Sequence, residues 1–128
     1  MRTAPAKLRT LKTAGVAWIS IGLQSGSDRV NRDIYKRRSL KSDFLRAARL
    51  IREHDIAAMY DVILDNPFEN EDDKWETIET LMETPKPFFP QFFSLTLYLG
   101  TELYERARRE ALAATDEYLD KRYYVYAD

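Results

Sequence analysis

Three short apolar runs, each followed by a polar loop and then a helix-forming stretch, constrain this chain more than any other feature. Val16 to Leu23 reads VAWISIGL, Ala57 to Leu64 reads AAMYDVIL and Phe92 to Leu97 reads FFSLTL. Runs that are nearly continuous in branched apolar residues suit strands covered on both faces, as in parallel sheets. The stretches between them carry helix signals. Pro5 to Thr13 places Leu8 and Leu11 on one side and stops at Gly15. Ser27 caps a short helix from Asp28 to about Tyr35, and Ser42 caps a longer one to about His54, with Phe44, Ala47, Ala48 and Ile51 on one face. Asn70 and the acids after it open a helix to about Glu83, with Trp75, Ile78 and Met82 on one side, and Pro85, Pro87 and Pro90 forbid its continuation. Thr101 caps a last helix to about Ala113, with Leu103, Tyr104, Ala107 and Ala111 inward.

Strand–helix alternation of this kind implies right-handed crossovers and an α/β fold built on a parallel three-stranded sheet. With 45% apolar and 32% charged residues, the chain has the material for one core. Residues 1–113 are expected to form that domain, and the tail 114–128, which ends in the aromatic cluster YYVY, to pack on it. Three strands leave two open sheet edges, which more chain or a partner usually covers. Self-association through those edges is therefore one expectation.

Composition removes several function classes. There is no cysteine and a single histidine, His54, so this chain alone builds no disulfide, thiolate zinc site, cysteine nucleophile or multi-histidine metal site. A net charge of −1 gives no global attraction to nucleic acid or anionic membrane. No apolar run approaches the roughly 20 residues of a membrane-spanning helix. The expectation is a cytoplasmic protein with neither nucleic acid nor membrane as partner.

In parallel sheets, function collects at the carboxyl ends of the strands. Three loops stand there: Gln24 to Ser27, Asp65 to Glu69, and Tyr98 to Thr101. Alternation in the first strand sets Ile19, Ile21 and Leu23 on one face and Ser20, Gly22 and Gln24 on the other. That small, polar face suits a barrel interior or ligand floor. A Gly-containing turn with a Ser cap explains the same residues without a ligand. Asp61, Ile63 and Asp65 share the interior side of the second strand. Its two carboxylates fit acid–base or metal chemistry, or simple pairing with the basic run Lys36, Arg37 and Arg38. Those cations in turn fit either a ligand carboxylate or a solvated turn. His54 ends a helix, where imidazolium favours the dipole, and has no catalytic role here.

Taken together and in order, IGLQSGSDRV (21–30), YKRRS (35–39), YDVILDNPFENEDD (60–73) and FSLTLYLGTELYERA (93–107) resemble radical S-adenosylmethionine enzymes, most nearly the subgroup with an N-terminal cobalamin-binding domain. The resemblance implies the second half of a partial (β/α)6 TIM-like barrel, covering its fourth to sixth strands. It implies that Gln24 and Ser25 meet the ribose and methionine part of S-adenosylmethionine. Arg37 or Arg38 meets its carboxylate, and Ile63 packs on adenine. Asp61 and Asp65 stand where the family has glycines, Asp65 at the cofactor's edge, and Leu95 to Leu97 line the adenine's other side. The family's CxxxCxxC loop, which holds a 4Fe-4S cluster, has no counterpart in this sequence. Leu99 and Phe68 replace a common proline and glycine. The resemblance therefore implies a fragment that is inactive alone, whose partner is the missing N-terminal half-barrel. The cluster, and cobalamin if used, belong to the parent enzyme, whose small-molecule substrate the sequence leaves open.

Overall fold

The computed structural model describes residues 4–110. Along the chain lie α1 (Ala4–Thr13), β1 (Trp18–Gln24), a π-helical segment (Val30–Ile34), α2 (Lys41–Glu53), β2 (Ala57–Ile63), α3 (Glu71–Glu83), β3 (Phe89–Phe93) and α4 (Glu102–Arg109). The strands form one parallel sheet in the order β1-β2-β3, as the alternation of apolar runs and helices implies. Ala111 and the tail 114–128 lie outside the described residues. No helix among the described residues is long and apolar enough to cross a membrane.

Alternation along each strand divides the sheet into a packed and an open face. Ile19, Ile21 and Leu23 of β1 join Ala58, Tyr60 and Val62 of β2 against Phe44, Leu45, Ala48 and Ile51 of α2. Tyr60 sits edge-on to Phe44 at a centroid distance of 4.9 Å, and burial pushes its phenol up to about 12. A second, smaller core joins Val30, Ile34, Phe68 and Leu97 to Tyr104 and Ala107 of α4. It holds α4 against the loops at the carboxyl ends of β1 and β2.

Three details depart from the sequence pattern. The third strand lies at Phe89–Phe93, upstream of the expected Phe92–Leu97. Past Phe93 the ladder ends because the Leu95 N–H donates to the Asp65 carboxylate (2.8 Å), and Pro90 is tolerated because β3 is a sheet edge. Ser42 is not the cap of α2. Leu40 takes that position, and its N–H donates to Asp43 three residues on (3.2 Å). Finally, Trp75, Ile78 and Met82 do share one side of α3, but it is the outer side. The buried side is Asp73, Thr77 and Thr80, followed by Thr84.

That polar side is buried because its hydroxyls are satisfied locally. Thr77, Thr80 and Thr84 each donate to the carbonyl four residues back, at 3.1, 2.6 and 2.7 Å. Short side chains also let α3 approach the turn after β1 closely. A Cβ on Gly26 would lie 2.5 Å from the Glu76 oxygen and 2.5 Å from the Thr77 Cα, both backbone atoms. Gly26→Ala is expected to lower stability by about 3 kcal/mol, since the contact has no flexible atom to yield. Urea unfolding should show this as a fall in midpoint at unchanged slope.

Candidate functional site

The open face of the sheet carries Ser20 and Gly22 from β1, Asp61 and Ile63 from β2, and Gln91 and Phe93 from β3, in register. At its carboxyl end the regular alternation breaks. A bulge falls between Gly22 and Gln24, and Gln24 adopts a left-handed φ of 64°. The Gln24 side chain thereby folds back over Gly22, its Nε2 2.3 Å from where a Cβ would stand. Arg37 reaches the same point from the other side. Its Nη2 donates to the Gly22 carbonyl (2.9 Å), and its Nη1 lies 3.4 Å from the same Cβ position. A Cβ at 22 would push the Gln24 amide aside, so glycine there permits this convergence. The residue before Arg37, Lys36, is also left-handed (φ 54°), which aims the chain back toward β1.

The other sequence-predicted residues fall around this point. Ser25 is fully buried: its hydroxyl lies 3.3 Å from that of Thr77 and accepts from the Ser27 N–H (3.2 Å). Its position is that of a turn-holding residue beneath the site. Arg38 is exposed. Ile63 ends β2 opposite Phe93. Asp61 accepts two long hydrogen bonds from Ser20 (3.4 Å each), and Asp65 accepts from Leu95 as described. Lys36 lies 3.9 Å from Glu102, so it turns toward α4 while Arg37 turns toward β1. His54 caps α2 with its Nδ1 2.7 Å from the Leu50 carbonyl oxygen. Gln24 and Arg37 are thus brought together; Ile63 and Asp65 stand at the next strand's end.

Beneath the turn lies a polar network that periodicity does not reveal. Asp73 accepts from Arg29 through both oxygens and from the Ser27 hydroxyl (2.7 Å), and caps α3 reciprocally with Asn70. Arg29 also donates to the Phe68 carbonyl (3.0 Å). Asn31 donates to the Ser25 carbonyl (2.6 Å), leaving its Oδ1 buried without a partner, as is Oε1 of Glu69. Asn66 donates to the Tyr35 hydroxyl (2.9 Å), whose ionisation burial pushes well above its usual range. The one sequence signal for this network was the Asn70 and Asp73 spacing of a capping box. Among the described residues, no three His, Cys, Asp or Glu side chains come together to hold a metal ion.

With the sheet, its polar carboxyl end and the loop order established, comparison with known proteins is informative. The model of the Radical SAM superfamily matches residues 1–81, well over half of the chain. The chain belongs to the radical SAM superfamily. No curated protein matches it. Full-length radical SAM enzymes combine S-adenosylmethionine with a 4Fe-4S cluster. The cluster does not fit this chain, which has no cysteine to hold it. Toward S-adenosylmethionine the chain offers the Gln24 amide and the Arg37 guanidinium, which meet at Gly22 at the carboxyl end of β1.

The network's titration is testable. Burial alone would raise the Asp73 carboxyl, but hydrogen bonds from Arg29, Ser27 and the Asn70 backbone outweigh it and hold the group at about 2. Its ordinary value is about 3.9. The folded value is the lower one, so this contribution is complete above about pH 4 and is lost as pH falls toward about 2. Its size is about 2 kcal/mol. Glu69 acts in the opposite sense, because burial holds its carboxyl above the usual range. Asp73→Asn is expected to flatten the acid limb of stability between about pH 4 and pH 2 and to cost about 2 kcal/mol at neutral pH. Unfolding at a series of pH values measures both.

Proposed function

We propose that this chain is the carboxyl-terminal half of a radical SAM barrel, its fourth to sixth β/α units. Its role is to present S-adenosylmethionine-binding and substrate-facing surface to a half that carries the cluster. The observation that carries this reading is the meeting of Gln24 and Arg37 over Gly22 at the end of β1. There the Gln24 amide donates to and accepts from ribose hydroxyls, and the Arg37 guanidinium meets the methionyl carboxylate as a fork. Arg38 adds positive charge at the rim. Ser25 acts by holding the turn, Ile63 supplies an apolar floor for the adenine, and Asp65 keeps the segment around Leu95 beside it. Bound S-adenosylmethionine supplies carbon-centred radical chemistry only next to a reducing cluster. This chain therefore binds and orients without generating a radical. The loop sequences QSGSDRV and DNPFENEDD support a parent of the cobalamin-binding subgroup.

The unpaired edges of β1 and β3 support a second reading, a non-enzymatic module that pairs through its sheet edges. Calorimetric titration with S-adenosylmethionine separates the two. The first expects measurable binding that Gln24→Ala or Arg37→Ala weakens about tenfold, the loss of one charge-assisted or well-placed hydrogen bond. With dithionite added, no 5′-deoxyadenosine should form. Absence of binding by the unaltered chain overturns the first reading, and turnover by the chain alone overturns its inactivity.

A further inference from the structure

The outer face of α3 is unusual for a helix that flanks a sheet. Trp75, Ile78 and Met82 are 60%, 44% and 71% exposed, while the buried side carries Asp73, Thr77 and Thr80, with Leu81 packed against the larger core. Outer faces of such helices are ordinarily polar. α2 illustrates this: its exposed residues are Ser42, Arg46, Arg49, Arg52 and Glu53. The three exposed apolar residues of α3 are three and then four positions apart, the seam spacing of a two-stranded coiled coil. At 100° per residue, Lys74 flanks this seam on one side and Glu79 on the other. Both are exposed.

From this we infer that the α3 seam is an interface between two copies of this chain, with the helices parallel about a twofold axis. A parallel pair sets each seam residue against its own counterpart. It also brings Lys74 beside the partner subunit's Glu79, which is the flank-to-flank relation of such pairs. The contact then forms twice by symmetry. An antiparallel pair would instead set the acidic flank of Asp72, Glu79 and Glu83 against itself. A head-to-tail contact would seat the seam on the arginines of α2, leaving apolar surface against charge and failing to close. The parallel seam avoids both penalties from Trp75 to Met82, and its one like-charge meeting is that of Glu71 with its counterpart at the exposed start of the helix. A seam this short buries less than a standard interface, so the dimer is weak and concentration-dependent.

The absence of cysteine makes the test direct. Ile78→Cys places one thiol on the seam, where a parallel pair brings the two copies within disulfide reach. Oxidised glutathione should convert that variant to a covalent dimer, whereas Arg49→Cys on α2 should stay monomeric. In sedimentation equilibrium, Lys74→Glu should weaken dimerisation about three- to tenfold, and adding Glu79→Lys should restore it. Ile78→Glu should abolish it with the circular dichroism unchanged, since the position is exposed. A monomer at millimolar concentration overturns the inference. So does a dimer indifferent to these substitutions, which would point to the sheet edges. S-adenosylmethionine affinity is not expected to change in any seam variant, so this outcome is independent of the proposed function.

Discussion

The close approach of Gly26 to the backbone of α3, fastened by the Arg29–Asp73 pair, is the contact on which the rest of this structure depends. It links the carboxyl end of β1 to the start of the helix that follows β2, two segments far apart in the sequence. Without it the two apolar cores share little beyond the chain itself, since one lies under α2 and the other under α4. The contact is polar, and polar networks under a fold are effective only when complete. Here Ser27, Asn70 and Arg29 saturate the Asp73 carboxylate, and three threonine hydroxyls return to their own helix. The buried acceptors left over, on Asn31 and Glu69, both belong to side chains around Ser25, directly below the open face.

The same contact sets the orientation of α3. A helix that must lie within van der Waals distance of a turn needs small side chains on that face. Threonine meets this need while carrying a hydroxyl that bonds backward along the helix. Larger apolar residues on the sheet side would hold α3 away from Gly26 and leave Asp73 without its partners. Leu81 still packs against the larger core, but Trp75, Ile78 and Met82 are displaced to the outer side, where their spacing allows them to act as a seam. The inverted amphipathicity of this helix follows from how the loop after β1 is held.

Much of the architecture was legible because it rests on local signals. Continuous apolar runs marked β1 and β2, and the strand–helix alternation implied a parallel sheet. The alternation in VAWISIGL set Ser20 and Gly22 on the face they occupy, whereas Gln24 reaches that face only through a bulge and a left-handed φ. Asn70 announced α3 through its cap. The features that were not legible depend on distant pairs or on backbone strain. Arg29 and Asp73 are separated by a whole β/α unit, and nothing in either neighbourhood indicates the other. The start of β3 was masked by Pro90, which reads as a breaker until the strand is known to be an edge. The face of α3 was misread by any rule that buries apolar residues first, because the rule takes no account of a threonine face satisfied by its own helix. Gln24 and Lys36 show no sequence preference for the left-handed region, yet both adopt it.

Those two left-handed residues bear on function. Each costs of order 1 kcal/mol or more, and such conformations persist only where the surroundings determine them. One lies on the strand side of the Gly22 cradle and aims Gln24. The other immediately precedes Arg37 and aims it. Hydrogen bonds hold them: the Ser25 N–H to the Leu23 carbonyl, the Asn31 amide to the Ser25 carbonyl, the Arg37 N–H to the Asn31 carbonyl, and Arg37 Nη2 to the Gly22 carbonyl. On the proposed function, the strain at Gln24 and at Lys36, the residue before Arg37, preorganises the two side chains that meet over Gly22. In the proposed role the amide and guanidinium are fixed in advance, which leaves little ordering entropy to oppose a ligand. On this view the buried network under the turn and the open polar face above it are one device. The first supplies the stability against which the second is held in a shape that an unconstrained loop would not keep.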